Sequence, residues 1–254
     1  MTHIHSVISI FNNYIVNYMP REKIFRFKQF SVINDKTAMK VGTDGVLLGA
    51  WCDVDMAQHV LDVGTGCGVI ALMIAQRNAQ AIIDGIDIDN NAVSEARSNF
   101  RNSPWSDRMT AITANFNDFL NDKKYDLIVS NPPFFTNGIL PPNPQRNNAR
   151  HTTTLSLSQL IMKSATLLSS HGSIAMITPV EAETIVKRCI VESNLWIKRL
   201  TQVIPIEGSS AKRLLWQITV DESTSSYNQL IIETTDRNYT SEYIALTRNF
   251  YLKM

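Results

Sequence analysis

Residues 59–72 read HVLDVGTGCGVIAL. The run His59–Val63 is mostly apolar and β-branched, as suits a strand buried on both faces. Gly64, Gly66 and Gly68 follow at alternate positions, and the chain then takes up helical periodicity over Val69–Arg77. Glycine adopts left-handed backbone angles at no steric cost, so this spacing predicts a sharp strand-to-helix turn. Working outward, residues 81–86, 109–114, Tyr125–Ser130 and 173–178 read as further strands, and 90–102, 155–169 and 180–193 as helices. Trp196–Ile206 and 213–221 are strand-like with no helix between them, which predicts an antiparallel pair. Alternation of this kind predicts an α/β fold: a three-layer, doubly wound, mostly parallel seven-stranded sheet with an antiparallel edge strand and a short C-terminal extension. Residues 223–228 read as a polar connector. Ile231, Tyr243, Leu246, Phe250 and Leu252 are expected to dock the C-terminal piece on the core.

The 254 residues suffice for one such domain, assigned to 24–254, without disulfide or metal staples. Residues 1–23 read as an N-terminal extension, disordered, or upstream of a start at Met19. They have neither the basic start nor the clean apolar run of a signal peptide. The absence of an apolar run of about 18 residues predicts no membrane span. Cys52, Cys67 and Cys189 are too scattered for a disulfide framework or a metal site, and reduced cytoplasmic thiols are expected. A net charge of +1 argues for nothing by itself, but a broad basic face for nucleic acid usually carries more, so any such contact is expected to be local. A monomer is expected.

Asp87 ends the strand that follows the glycine turn, about 20 residues beyond it, where a carboxylate can accept hydrogen bonds from ribose hydroxyls. The G-x-G-x-G spacing differs from the G-x-G-x-x-G of dinucleotide binders. It suits a cofactor with a ribose but no pyrophosphate, which points to S-adenosylmethionine, with a dinucleotide as the rival. Cofactor contacts are expected from Gly64, Gly66, Gly68, Asp87 and Asn131. Asp62 either holds the loop or faces the methionine amino group. Asn115 either bonds the cofactor's adenine or serves only as a strand-end turn residue. The segment 40–45 (KVGTDG) either caps a helix beside the cofactor, with Thr43 as a cofactor contact, or is plain N-cap chemistry.

The strand Tyr125–Ser130 runs into Asn131-Pro132-Pro133-Phe134 at the carboxyl edge of the sheet, where open α/β folds bind ligands. A planar amino group is a poor nucleophile because its lone pair is delocalised into the ring. Acceptors at its two N–H groups, here the Asn131 side-chain oxygen and the Pro132 carbonyl, would pyramidalise and align it. Phe134 would stack on the ring, with Phe135 beside it. The loop 136–148 leaves the same edge and delivers Arg146, Arg150 and His151, and Lys212 and Arg213 enter the last strand. These basic groups are the candidates for phosphate contacts.

The pairing of LDVGTGCGVIAL with NPPF resembles class I, Rossmann-like methyltransferases acting on planar amino or amide nitrogens. FRFKQFSV, MKVGTDGVLLGAW, IDIDNNAV, SNPPFF, Ala149-Arg150-His151 and the terminal FYLKM resemble the bacterial tRNA1(Val) adenine-37 N6-methyltransferase family, from about Ile24 to Met254. The resemblance implies S-adenosylmethionine, a cytoplasmic location, and a tRNA anticodon loop as substrate. Asn115 departs from it, since related enzymes often carry Asp there. A protein glutamine N5-methyltransferase would need the same NPP geometry but is expected to carry an N-terminal helical domain. A non-catalytic RNA-binding scaffold has no reason to keep Asp87 and NPPF.

Overall fold

The computed structural model describes residues 23–37, 39–133 and 155–254. Two short strands, β1 (Ile24–Arg26) and β2 (Ser31–Ile33), pair antiparallel as a hairpin. Helix α1 (Thr43–Trp51) follows, and then the alternating part begins with β3 (His59–Val63), α2 (Val69–Arg77), β4 (Ile82–Asp87), α3 (Asn90–Arg101) and β5 (Met109–Thr113). It continues with β6 (Tyr125–Ser130), α4 (Leu157–Leu167), β7 (Leu168–Pro179), α5 (Glu183–Glu192), β8 (Trp196–Ile206) and β9 (Arg213–Thr219). Strand β10 (Ser226–Glu233) and helix α6 (Ser241–Thr247) complete the order.

The main sheet has eight strands in the order β10-β8-β9-β7-β6-β3-β4-β5. Strands β6, β3, β4 and β5 pair parallel, as does β7 with β6, while β9 runs antiparallel between β7 and β8. The mostly parallel, doubly wound architecture is the one expected from the alternation. The expected count of seven rises to eight because Ser226–Glu233, part of which read as a polar connector, adds to β8 in parallel. Polar Ser226, Asn228 and Gln229 are exposed there, which an edge strand permits.

Side-chain alternation along the central strands makes three layers. On one face Val60, Leu127 and Val129 pack with Val46 and Leu48 of α1, Ile70 and Ile74 of α2, and Tyr243 and Phe250 of the C-terminal piece. On the other, Leu61, Val63 and Ile128 pack with Leu160 and Ile161 of α4 and Val186 and Ile190 of α5. The C-terminal piece therefore docks as expected through Tyr243 and Phe250, with Leu246 packed beside them, but Leu252 stays exposed. All three cysteines are buried and unbridged.

The segment joining β2 to α1 is anchored by a buried acid. Glu95 of α3 accepts the backbone N–H groups of Asp35 at 2.6 Å, Lys36 at 2.9 Å and Thr37 at 3.1 Å. Asn99, one turn on, exchanges two hydrogen bonds with the backbone of Ile33, 2.8 and 2.9 Å long. A carboxylate is an acceptor only, so three converging N–H donors suit it. Glu95→Ala leaves those donors without their acceptor and should cost about 2–3 kcal/mol of unfolding free energy. Urea denaturation of the wild type and the variant measures it.

Candidate active site

Register places the site. Val63 of β3 lies beside Ser130 of β6 on one side and Ile86 of β4 on the other. Asn131, Gly64 and Asp87, the next residues along the chain, therefore follow from neighbouring positions at this edge. The Ser130 hydroxyl donates to the Val63 carbonyl at 2.8 Å and ties two of these strand ends together.

Gly64, Gly66 and Gly68 have φ of 72°, 56° and 83°, all in the left-handed region that the spacing predicted. Their surroundings differ. A β-carbon at Gly64 or Gly66 would meet nothing within 4 Å, whereas one at Gly68 would come within 2.4 Å of the Phe100 ring. The first two glycines thus leave open space above the backbone, and the third serves the packing of α2 on α3. The Gly64 and Thr65 N–H groups both donate to the Ile86 carbonyl, at 2.8 and 2.9 Å.

Asp87 contributes both carboxylate oxygens to the turn: one accepts the Gly66 N–H and the other the Asp89 N–H, each at 3.0 Å. A carboxylate has about four lone-pair sites, so the half-buried group keeps acceptor capacity for hydroxyls. Asp62 is fully buried beneath the turn. Its Oδ2 accepts the Thr65 hydroxyl at 2.7 Å, and its Oδ1 is buried without a partner among the described residues. Burial pushes this carboxyl up to about 7, against the pull of the Thr65 hydroxyl and the Ala71 backbone N–H. Asp62 therefore holds the loop, the first of its two expected roles.

Asn115 caps a short 3-10 turn, Phe116–Asp118, accepting from the Asn117 N–H at 3.1 Å and donating to Asp118 at 2.7 Å. Its amide is engaged within its own turn. The segment 40–45 opens a helix, as expected. The N-cap is Gly42, which has no side chain, and Thr43 is the first residue of α1. The helix start is still near the glycine turn, since a β-carbon on Gly45 would lie 3.7 Å from Val69.

At the end of β6, Pro132 is buried and Pro133 exposed. The Asn131 amide donates from Nδ2 to the Met39 sulfur at 3.6 Å, while its Oδ1 is buried with no partner among the described residues. A buried acceptor left unsatisfied costs about 1–3 kcal/mol and is rare enough to call for a partner. Arg213 opens β9 opposite Pro179, which puts it at the same carboxyl edge, and there its Nε is 2.8 Å from Asp44 of α1. Lys212 beside it is exposed. Phe134, Phe135, Arg146, Arg150 and His151 lie outside the described residues.

Sequence reasoning missed Thr65, Met39 and Glu95. Thr65 carried no signal. Glu95 carried one, because it falls among Ala92, Val93 and Ala96 on the apolar side of α3, where an acid requires donors. Among the described residues no group of three or more His, Cys, Asp or Glu could hold a metal, and no helix is long and apolar enough to cross a membrane.

Asp62 predicts a pH dependence. Its folded-state value lies above its ordinary value of 3.8, so the folded chain binds that proton more tightly than the unfolded one. Its stability contribution is fully present below that ordinary value and is lost as pH rises towards about 7. Urea midpoints of the ligand-free protein from pH 4 to 8 should show this decline, and Asp62→Asn should flatten it.

The methyltransferase small domain family matches residues 38–190. A tRNA1(Val) (adenine(37)-N6)-methyltransferase of Parabacteroides distasonis is 45% identical over 91% of this chain and 98% of its own length. Proteins of the same description from Trichodesmium erythraeum and Flavobacterium psychrophilum are each 43% identical, over 90% and 91% of this chain and 98% and 100% of their own. Among solved structures, a predicted O-methyltransferase from Agrobacterium tumefaciens superposes with a TM-score of 0.64 at 17% identity, covering 82% of this chain and 96% of its own. A putative RNA methyltransferase from Pyrococcus horikoshii gives 0.52 at 15% identity, over 78% and 92%. The two structures share the fold; the sequence relatives, matched over nearly their whole length, show that this chain belongs to the tRNA1(Val) (adenine(37)-N6)-methyltransferase family.

Proposed function

We propose that this chain methylates N6 of adenine 37 in tRNA1(Val), using S-adenosylmethionine. The observation that carries the reading is the buried Asn131 Oδ1, unpartnered among the described residues and one strand away from the open glycine turn. The residues fit the cofactor. Gly64 and Gly66 leave room for it against the backbone, and Asp87 retains lone pairs for ribose hydroxyls. Asp62 bears on it through the loop it holds. The start of α1 at Thr43 lies close enough to the turn to contribute. Asn115 keeps a second amide N–H and a second oxygen lone pair for the adenine beside the bonds of its own turn.

When bound, the cofactor supplies an electrophilic methyl group on sulfonium. Asn131 Oδ1 accepts one N6–H and the Pro132 carbonyl the other, which draws the nitrogen lone pair out of the ring and aims it. Asn131 and Pro132 would hold the amine in line with that methyl group, and one amino proton would leave to water after the transfer. No strong base is needed, since the proton departs after transfer. Phe134 and Phe135 stack on the extruded base. Arg146, Arg150, His151 and Lys212 hold neighbouring phosphates, and Arg213 contributes from its ion pair with Asp44. The tRNA substrate sets the enzyme's work in the cytoplasm, and the enzyme acts as a monomer.

Asn131→Ala should slow single-turnover methylation of tRNA by about 10²–10³, the usual effect of removing one preorganised hydrogen-bonding group. Cofactor affinity by calorimetry should barely change, and a near-normal rate would rule the role out. Arg146→Ala combined with Arg150→Ala should raise KM for tRNA and flatten its salt dependence by about one log–log unit for each phosphate no longer held. Rates measured from low to moderate salt test this, and an unchanged slope would leave both arginines as solvated loop residues.

A further inference from the structure

We infer that Met39 is a positioning residue that fixes which end of the Asn131 amide faces the target amine. This rests on the reading of Asn131 as the acceptor for N6–H. A terminal amide turns over by rotating about its last bond, and its two ends have opposite chemistry: Oδ1 accepts and Nδ2 donates. Only one orientation can receive an amino group. In the other, Nδ2 would point a donor at a donor.

The surroundings of Asn131 discriminate between the two. Nδ2 lies 3.6 Å from the Met39 sulfur. A thioether has lone pairs and no proton, so it accepts and cannot donate. Turning the amide would set Oδ1 against those lone pairs and bury an N–H where the acceptor now lies. Oδ1 has no partner among the described residues that could resist the turn. Among the described residues the sulfur contact is therefore the interaction that assigns the orientation.

Met39 can do this only if its own position is held, and the chain on both sides of it is tied down. Upstream, Glu95 collects the three backbone N–H groups of Asp35, Lys36 and Thr37, and the Thr37 hydroxyl bonds Asn34 at 3.0 Å. Downstream, the Lys40 ammonium folds back onto the carbonyls of Asn34 and Asp35, both at 2.9 Å. The segment is closed on itself and anchored to α3. Met39 is not held there by core packing, since half of its surface is exposed. An exposed apolar side chain on a clamped segment, with its sulfur turned to the strand end, fits a local orienting role.

The test is single-turnover methylation of tRNA at saturating S-adenosylmethionine. Met39→Leu keeps the shape and removes the acceptor. It should slow the step about five-fold, the equivalent of one net hydrogen bond, with cofactor affinity and melting temperature unchanged. Met39→Gln, which puts back an acceptor oxygen, should recover most of the rate. Met39→Leu added to Asn131→Ala should cost nothing further, because the amide it orients is gone. A wild-type rate for Met39→Leu beside an impaired Asn131→Ala overturns the inference and leaves the acceptor reading intact. So does a rate defect that multiplies in the double variant. A wild-type rate for Asn131→Ala overturns the acceptor reading itself, and this inference with it.

Discussion

Parallel pairing of β6, β3 and β4 in one register makes Asn131, Gly64 and Asp87 follow from neighbouring positions at the carboxyl edge. A shift of one residue in either pair would turn every side chain of a strand to the opposite face. Val60 would exchange layers with Leu61, and both cores would be broken. The register is thus enforced by burial on two faces, and the site takes its geometry from that enforcement at little cost of its own. The Ser130–Val63 hydrogen bond then trims the last residue of the pairing, where the strands leave the sheet.

What the sheet leaves undone is the third side of the site, and there the device is different. The segment between β2 and α1 sets only Val41 against the core among its described residues. It is held by charge and hydrogen bonding: Glu95 from α3 on one side and Lys40 from within the segment on the other. Such bonds fix direction as well as distance, which is what a wall that must present one side chain to Asn131 requires. The ion pair between Asp44 and Arg213 performs a similar task one element later, tying the first turn of α1 to the antiparallel strand β9 across the same rim. Its side chains keep 35% and 28% of their surface exposed, so solvent weakens the pair and its role is to fix position more than to add stability.

The distribution of charge follows. With a net charge of +1 there is no general attraction for a polyanion. Positive groups matter only where they are gathered, and Arg213 illustrates how a cation at the right edge is drawn into structure. Its neighbour Lys212 remains exposed. Beneath the rim, the buried carboxyl group of Asp62 has one oxygen committed to Thr65. It makes the turn rigid and also makes it sensitive to pH.

The sequence by itself determined the local chemistry. Three glycines at alternate positions demanded left-handed angles, Asp87 ended a strand, and two prolines stopped another, because each of these follows from steric rules acting over a few residues. Alternating periodicities likewise dictated strands and helices and a layered, mostly parallel sheet. Tertiary structure alone decided the partnerships. Periodicity says that a face is buried and not what buries it, so the eighth strand at Ser226–Glu233 was hidden behind its polar residues. Glu95 meets Thr37 across 58 residues, Met39 meets Asn131 across 92, and Asp44 meets Arg213 across 169. Hydrogen bonds between such distant positions leave no spacing in the chain. They exist only after the strand order has brought the elements carrying them to one edge.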